Sequence, residues 1–323
     1  MINNKKILIT GATGFVGSCL AHRLVETGCE LHLTVRAESN LWRIKNILDK
    51  VNLHNLDLRN KNNVENVITS LEPKVIYHCA TYGGYYTQSD AKKILGTNIT
   101  GTVNLLNACV KAGFDCFVNT GSSSEYGIKN EPMKESDTLE PVSPYGAAKT
   151  SSTLFCQSVF RKNQLPIVNL RLFSPYGYYE AASRLIPSVI MSCLAGKDVK
   201  LSSPDSVRDF IFVEDVVDAY LKVTEIISKA KGEIFNIGSG RQYSVGEVVS
   251  KIIELTGGKI KPEWKTMPNP RIEPTVWIAD ISKAKDILKW QPEYTLERGL
   301  KNTVKWFKEN VFLYRETVNE VKA

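Results

Sequence analysis

The sequence predicts an α/β protein whose core is a doubly wound parallel sheet. Short apolar runs alternate with helical patterns through the first half of the chain, which is typical of strands joined by crossover helices. The runs are apolar at successive positions, as expected for strands that helices cover on both faces, and a glycine-rich turn follows the first of them. The predicted strands lie at residues 6–10, 31–35, 75–80, 116–120 and 167–173, and the predicted helices at residues 17–26, 64–71, 91–112 and 145–162.

Composition limits the class of protein. The chain has 323 residues, of which 43% are hydrophobic and 23% are charged, so it is long enough for one large globular domain or two coupled ones. The net charge of +7 is spread along the chain, which argues against a dedicated nucleic-acid binder and suits a small polyanionic ligand. No apolar run approaches the roughly 18 residues of a membrane-spanning helix, so we expect no membrane partner.

Cysteine and histidine usage indicates the environment of the protein. The seven cysteines are odd in number and show no C-x-x-C spacing, and the four histidines are scattered. We therefore expect a reduced, cytoplasmic protein without a metal centre.

The turn after the first strand carries a phosphate-binding pattern. Gly11, Gly14 and Gly17 have the spacing G-x-x-G-x-x-G between a strand and a helix. The first glycine permits the tight turn, the second lets a pyrophosphate approach the backbone, and the third lets the helix pack against the strand. This context predicts a Rossmann-type dinucleotide site rather than an ordinary glycine-rich turn. The residues assigned to it are Gly11, Thr13, Gly14, Phe15, Val16 and Gly17.

The end of the second strand bears on the choice of dinucleotide. NAD proteins usually place an acidic residue there for the ribose 2′-hydroxyl, but residues 33–36 end in Arg36. A guanidinium can pair with a 2′-phosphate, so NADP(H) is favoured and NAD(H) stays possible, with a solvated surface arginine as the alternative. Asp57 and Leu58 would lie near the adenine if a third strand occupies residues 51–56. Asp57 can equally be a turn residue at the strand end.

A second motif indicates acid/base chemistry. Tyr145 and Lys149 form Y-x-x-x-K at the start of a helix, and residues four apart share a helix face. Lys149 can therefore lower the pKa of the Tyr145 phenol and make it a general acid or base near neutral pH. Ser122 and Ser123 follow the preceding strand, at the carboxyl edge where open sheets bind ligands, and a hydroxyl there can hydrogen-bond a reacting oxygen.

After residue 173 the pattern becomes irregular, which predicts a smaller, interleaved C-terminal α/β substrate lobe. We expect residues 1–173, with returning segments near 207–238, to form the dinucleotide-binding domain, and residues 174–206 and 239–323 to form the other lobe. Residues 210–213 and 234–238 are predicted strands that return to the main sheet, and residues 295–312 are a predicted closing helix.

Taken together, these motifs resemble the extended short-chain dehydrogenase/reductases of the nucleotide-sugar epimerase/dehydratase group. The resemblance covers nearly the whole chain. It is carried by residues 10–17, 57–58, 78–80, 98, 122–127, 145–149, 171–177, 208–216, 235–240 and 280–300.

The resemblance implies a role for each matching residue. Tyr145 and Lys149 take the acid/base and cofactor-ribose roles, and Ser122, with Ser123 beside it, is the catalytic hydroxyl. The further cofactor contacts implied are Ala80, Asn98 and Phe173, and the substrate contacts are Tyr82, Ser122, Ser123, Tyr145, Ser174, Arg184, Arg208 and Arg271. The resemblance also implies an NDP-sugar substrate and a homodimer.

Three of these assignments have structural alternatives. Arg208 looks like the arginine that clasps the nucleotide diphosphate, with Arg271 as a second clasp, but Arg208 can also be a structural partner of Asp209. Asn98 can serve only to organise the helix behind the site. The tyrosines of the 82–86 loop, which are Tyr82, Tyr85 and Tyr86, face either the sugar or solvent.

Three reactions share this scaffold: 4-epimerisation, 4,6-dehydration and keto reduction. In the family's 4,6-dehydratases a glutamate stands two residues before a Tyr-Gly pair, and here that position is Ser124, with the acid displaced to Glu125. This displacement counts against a dehydratase unless a local bulge restores the acid. The stretch 121–127 also resembles that of reductases of the CDP-abequose, CDP-paratose and dTDP-fucose-forming type.

The leading sequence hypothesis is therefore NADPH-dependent reduction of an NDP-4-keto-6-deoxyhexose at C4. The alternatives are an NDP-sugar 4-epimerase or dehydratase, and a non-catalytic cofactor-binding scaffold is the least favoured because both Tyr145 and Lys149 are present.

Overall fold

A parallel sheet with helices on both faces organises the chain. The computed structural model describes residues 2–85, 87–266 and 274–314. Its strands are, in chain order, β1 (Lys6–Thr10), β2 (Glu30–Val35), β3 (Asn52–Asn55), β4 (Val75–His78), β5 (Cys116–Ser122), β6 (Ile167–Leu172), β7 (Ser174–Tyr176), β8 (Val199–Lys200), β9 (Val207–Arg208), β10 (Phe210–Phe212), β11 (Ile234–Ile237), β12 (Tyr243–Ser244) and β13 (Pro262–Glu263).

The α-helices pack around this sheet and form most of the second lobe. They are α1 (Phe15–Leu24), α2 (Lys61–Leu71), α3 (Ala91–Leu95), α4 (Gly101–Ala112), α5 (Pro144–Asn163), α6 (Leu185–Ala195), α7 (Val213–Glu225), α8 (Ile227–Ala230), α9 (Val245–Thr256) and α10 (Leu296–Asn310). A 3₁₀ helix spans Trp42–Lys50, and a π-helical turn, Gly96–Thr100, joins α3 to α4.

The strand order confirms the predicted fold class. Within the described ranges, seven strands form the main sheet in the order β11-β6-β5-β4-β1-β2-β3, and every neighbouring pair is parallel. The order reverses between β1 and β4, which makes the sheet doubly wound and opens a crevice at the carboxyl ends of these strands. The third strand that the sequence left conditional is present as β3.

Side chains of successive strand residues enter opposite cores. Leu8, Ile76 and Phe117 pack in the core on one face of the sheet, whereas Ile9 and Tyr77 pack in the core on the other. Because both faces are covered, the strands need apolar residues at every position, which is why they show little polar alternation.

One predicted strand is placed wrongly. Residues 210–213 do not return to the main sheet: β10 pairs in parallel with β7 in a separate two-stranded sheet, and Val213 begins α7. The place beside β6 is taken by β11, as predicted for residues 234–238. Phe210 and Phe212 pack instead against the ring of Tyr176.

The boundaries of several other elements differ from prediction. The first helix begins at Phe15, two residues earlier than predicted, and Gly14 is its N-cap. The helix predicted at 91–112 contains the π-helical turn, and β4 ends at His78 rather than residue 80. Across the residues that the structure describes, no helix is both long and apolar enough to cross a membrane.

Candidate active site

A cleft of about 900 Å³ opens at the carboxyl ends of the central strands. Its walls come from the turns after β1, β4, β5 and β6 and from the second lobe. The residues that the sequence assigned to the site and that line this cleft are Gly11, Thr13, Gly14, Phe15, Val16, Gly17, Arg36, Asp57, Leu58, Ala80, Tyr82, Ser122, Ser123, Tyr145, Phe173, Ser174, Arg184 and Arg208.

The glycine turn is packed too closely for side chains. Gly11 has φ +72°, and a Cβ there would lie 2.6 Å from the backbone of Ala80. A Cβ on Gly17 would lie 2.4 Å from the carbonyl oxygen of Gly11. The N-cap of α1 is Gly14, which has no side chain to cover the first N–H groups of the helix. These exposed donors and the positive end of the helix dipole fit the pyrophosphate of a dinucleotide.

A half-buried arginine that also lines the cleft supports this turn. The guanidinium of Arg43 donates to the carbonyl oxygens of Thr13, at 3.0 Å, and Tyr179, at 2.7 Å. It also lies 4.4 Å from the ring centroid of Trp42. No sequence motif indicated Arg43, because its partners are carbonyl groups that only the fold brings near it.

Two charged residues predicted to bind the adenosine end of a dinucleotide, Arg36 and Asp57, line the cleft. Arg36 lines the cleft and pairs with Glu38 at 3.3 Å. The carboxylate of Asp57 is held by the side chain and backbone N–H of Arg59, which lowers the pKa of Asp57. Asp57 is therefore a turn residue after β3, as the alternative interpretation described, and it also lines the cleft.

Tyr145 lies in the first turn of α5 and faces the cleft. Ser143 caps this helix by accepting from the N–H of Gly146 at 3.0 Å, and Pro144 occupies its first turn. Burial raises the pKa of the Tyr145 phenol, while hydrogen bonds with Ser122 and Thr81 lower it. Burial is the largest influence on the pKa of this phenol.

Lys149 lies behind the cleft wall, one turn along α5. Its side chain is buried, and Nζ donates to the carbonyl oxygen of Thr120 at 2.9 Å. Burial lowers the pKa of Lys149 to about 8. The Ser122 hydroxyl accepts from the N–H of Ser124 at 3.1 Å, which leaves its single proton for another acceptor.

Glu125 is turned away from the cleft. It is fully buried, and its Oε2 accepts from Nε of Arg171 at 2.8 Å. Its Oε1 accepts from the N–H of Ser122 and the hydroxyl of Thr153. The one-residue displacement of the acid therefore redirects its side chain, as the sequence indicated, and Ser124 lines the cleft instead.

Asn98 also lies behind the wall, which favours the structural alternative over a direct cofactor contact. It is 1% exposed, and its side chain bonds to the backbone N–H and carbonyl of Tyr82 and to the hydroxyl of Thr81. These bonds fix the start of the 82–86 loop. Tyr82 and Tyr85 line the cleft. Tyr86 lies outside the described residues.

The second lobe supplies long charged side chains. Arg184 lies 5.7 Å from the ring centroid of Tyr85 and pairs with Glu180 at 3.5 Å. Glu180, which the sequence interpretation missed, lines the cleft, and burial raises its pKa to about 7. Its Oε2 has no hydrogen-bond partner among the described residues.

Arg208 lines the opposite part of the cleft. Its guanidinium donates to the carbonyl oxygen of Val207 and lies 5.6 Å from the ring centroid of Trp277. The carboxylate of Asp209, its predicted alternative partner, accepts from the N–H groups of Ser239, Gly240 and Ala279. The second predicted clasp, Arg271, lies outside the described residues.

Comparison with known proteins agrees with this geometry. The model of the NAD dependent epimerase/dehydratase family matches residues 7–238. An uncharacterized UDP-glucose epimerase, YtcB, of Bacillus subtilis is 31% identical over 93% of this chain and 96% of its own length.

Two solved structures are similar over nearly the whole chain. One is a UDP-glucose 4-epimerase of Thermotoga maritima with UDP-glucose, which has a TM-score of 0.86 at 28% identity and covers 94% of this chain and 99% of that one. The other is a dTDP-glucose 4,6-dehydratase of Bacillus anthracis in complex with NAD, which has a TM-score of 0.85 at 27% identity and covers 96% and 98%.

The sheet, the glycine turn and the Tyr-Lys helix define a dinucleotide-dependent α/β enzyme of the extended short-chain dehydrogenase/reductase class. Within that class, the chain belongs to the NAD dependent epimerase/dehydratase family.

Proposed function

We propose that the protein is a nucleotide-sugar 4-epimerase that retains its nicotinamide dinucleotide through the reaction cycle. The proposal rests on which side chains the structure places in the cleft and which it holds away from it. Tyr145 and Ser122 both line the cleft, so the groups for proton exchange at a sugar C4 oxygen are present. Glu125 is held away by Arg171, so the acid that a 4,6-dehydratase uses is missing.

The proposed chemistry assigns one task to each side chain. Tyr145 removes the proton of the C4 hydroxyl and later returns it to the 4-keto oxygen, and Ser122 donates a hydrogen bond to the same oxygen. Lys149 holds the nicotinamide ribose and favours the phenolate through its positive charge. When bound at the glycine turn and Lys149, the nicotinamide would supply reversible hydride chemistry at C4.

Similarity to known enzymes supports a UDP-hexose as substrate. The Bacillus subtilis relative is described as a UDP-glucose epimerase, and the Thermotoga maritima enzyme was solved with UDP-glucose. We assign the nucleotide sugar to the second lobe, at residues 174–206 and 239–323. Arg208, which lies just outside these bounds in β9, is assigned to the diphosphate. The glycine turn and residues 1–173, together with the returning strand β11, are assigned to the cofactor.

A second candidate is the NADPH-dependent 4-ketoreductase of an NDP-4-keto-6-deoxyhexose that the sequence favoured. One observation supports it: Arg36 lines the cleft at the end of β2, where NAD proteins usually place a carboxylate. A 2′-phosphate there would pair with the guanidinium. The comparisons support the epimerase/dehydratase alternative better, since the two similar solved structures are a UDP-glucose 4-epimerase and a dTDP-glucose 4,6-dehydratase.

Two measurements on the purified protein separate these candidates. Mass spectrometry of the denatured protein's small molecules reports the bound dinucleotide, and NMR of a UDP-glucose incubation reports UDP-galactose formation. The epimerase proposal expects stoichiometric dinucleotide and turnover without added cofactor. Stoichiometric consumption of NADPH with NDP-4-keto sugars, and no interconversion of UDP-hexoses, would contradict it and establish the reductase.

A further inference from the structure

His78 is the last residue of β4, next to the turn that lines the cleft, and the proposed reaction gives it no task. It is 1% exposed and lies beside Thr10 of β1 in the parallel register. Its ring nitrogens each contact a hydroxyl: Nδ1 is 2.7 Å from Oγ1 of Thr10, and Nε2 is 2.9 Å from Oγ1 of Thr102 on α4. Burial lowers the pKa of His78 to about 3, and the charge of Lys149 acts in the same direction. The imidazole is therefore neutral, with one donor and one acceptor nitrogen.

The hydroxyl of Thr102 determines which nitrogen carries the proton. It donates to the main-chain carbonyl oxygen of Asn98 at 2.7 Å, and a carbonyl oxygen can only accept. Because its one proton is used there, the Thr102 oxygen accepts from the imidazole. The ring proton of His78 is therefore on Nε2, and Nδ1 is the acceptor.

The hydrogen bonds at the other nitrogen have the same direction. The hydroxyl of Thr10 donates to Nδ1 of His78, and its oxygen accepts from the N–H of Ala80 at 3.3 Å. Each of the three side chains in this chain of hydrogen bonds thus donates one bond and accepts one. Hydrogen bonds aligned in this way polarise and strengthen one another, so the loss of one link weakens the others.

The two ends of this chain of hydrogen bonds contact the two halves of the site. At one end, Ala80 lies against the glycine turn, where a Cβ on Gly11 would lie 2.6 Å from the main chain of Ala80. At the other end, the carbonyl oxygen of Asn98 also accepts from the hydroxyl of Ser152 on α5, the Tyr-Lys helix. His78 therefore connects the glycine turn to that helix.

We propose that His78 is a positioning residue which, as a neutral imidazole with its ring proton on Nε2, fixes the separation between the glycine turn and the helix of Tyr145. A reaction that moves a hydride and a proton at one carbon–oxygen bond needs the dinucleotide site and the phenol at a constant separation. A misplacement of about 1 Å can cost about 10²-fold in rate. The inference rests on the proposed function in one respect, since it takes the glycine turn and Tyr145 to serve one reaction.

The tautomer of His78 is the first test, and it needs neither substrate nor cofactor. Long-range ¹H–¹⁵N NMR of the protein labelled in its four histidines distinguishes both neutral tautomers from the imidazolium. The variants His22→Gln, His32→Gln and His54→Gln assign the His78 signal by elimination. We expect the Nε2–H tautomer from about pH 6 to about pH 8, on both sides of the ordinary histidine pKa of about 6.5. The Nδ1–H tautomer, or an imidazolium in this interval, would overturn the inference.

A break in the chain of hydrogen bonds is the second test. Thr102→Val keeps the shape of the side chain and removes the acceptor of the imidazole N–H, while the carbonyl of Asn98 keeps Ser152 as a partner. We expect the dissociation constant for NAD⁺, measured by calorimetric titration, to rise about tenfold, the scale of one hydrogen bond. With UDP-glucose, kcat should fall by about as much and KM should hardly change. Thr102→Ser keeps the hydroxyl and should behave as wild type.

The matched control is Thr100→Val, the same substitution at an exposed threonine of the π-helical turn. Wild-type affinity for NAD⁺ in folded Thr102→Val, an equal loss in Thr100→Val, or a change confined to KM would overturn the positioning role. If Thr102→Val does not fold, His78→Asn breaks the same link, because its side chain can accept from Thr10 but is too short to reach Thr102, and the same loss is expected. If UDP-glucose and other nucleotide sugars are not converted, the proposed function fails, while the tautomer and the affinity for NAD⁺ still decide the role of His78.

Discussion

The two ends of the cleft are built differently. The end of the cleft proposed for the cofactor is formed mainly by main chain: glycines that tolerate no Cβ, and the uncapped N-terminus of α1. The end proposed for the nucleotide sugar is formed by long side chains, which are Arg184 and Glu180 of the second lobe and Arg208 of β9. Tyr145 and Ser122, the residues of the proposed reaction centre, also line the cleft.

This difference explains which contacts a motif can reveal. A main-chain site needs a particular local conformation, so it leaves a glycine pattern at fixed spacing. A site formed by side chains needs only charged groups at the right positions in the folded protein. Residues from distant parts of the chain can supply them, so no fixed sequence spacing is required. We therefore expect the largest effect from a substitution of Tyr145 and smaller effects from substitutions of the residues around it.

The largest expected effect is at the reaction centre. Tyr145→Phe removes the proton donor and acceptor but keeps the ring, so we expect kcat to fall by about 10³-fold, within the usual range for a lost general acid–base group. Dissociation constants for cofactor and nucleotide sugar should change less than about threefold, on the scale of a lost exposed hydrogen bond. Turnover at the wild-type rate would remove Tyr145 from the mechanism.

The second effect concerns the buried pair beneath the β5 turn. Arg171→Met leaves the carboxylate of Glu125 buried without its cation, and we expect a loss of about 3–5 kcal/mol in the free energy of unfolding. Chemical denaturation measures it. The double variant Glu125→Gln, Arg171→Met is the matched control and should recover much of the loss. If Arg171→Met instead left the free energy of unfolding nearly unchanged, the ion pair between Arg171 and Glu125 would not stabilise the fold at the site.

The third effect is a pH dependence from Glu180. Burial raises the pKa of its carboxyl to about 7 in the folded protein, against an ordinary value of 4.5, with Arg184 and Arg43 opposing the shift. Between these two pKa values the Glu180 carboxyl is protonated in the folded protein and ionised in the unfolded chain. The contribution of this group to stability is therefore complete below pH 4.5 and is lost as the pH rises to 7.

Glu180→Gln should remove that slope, which amounts to roughly 2–3 kcal/mol across the interval. Denaturation at several pH values compares the two proteins. If the free energy of unfolding changed with pH in the same way for wild type and Glu180→Gln, the pKa of Glu180 would not be raised by folding. Its carboxyl would then be less desolvated than its burial indicates.

The smallest effect tests the side-chain end directly. Arg208→Ala should weaken binding of UDP by about tenfold, because one arginine–phosphate hydrogen bond is lost at a partly exposed site. Calorimetric titration measures the affinity, and dinucleotide content should not change. Arg241→Ala, which removes an exposed arginine outside the cleft wall, is the control. Equal losses in both variants would indicate general charge attraction instead of a diphosphate contact.

The sequence by itself determined the sheet, the glycine turn and the Tyr145–Lys149 helix, because strand alternation, glycine spacing and the four-residue helix repeat are local properties. It also indicated that Glu125 would leave the site, since a one-residue shift in a tight turn redirects a side chain. It misplaced residues 210–213, because whether an apolar run joins one sheet or another depends on which strand already occupies the edge.

Only the tertiary structure decided the remaining contacts. Arg43 supports Thr13 from thirty residues away, Asn98 fixes Thr81 across two elements, and Arg171 captures Glu125 from the neighbouring strand. The partners in these pairs have no common spacing in the sequence. Each pair joins a hydrogen-bond donor in the folded interior to the acceptor that it needs there. The two groups come within reach only after the sheet has brought distant segments together.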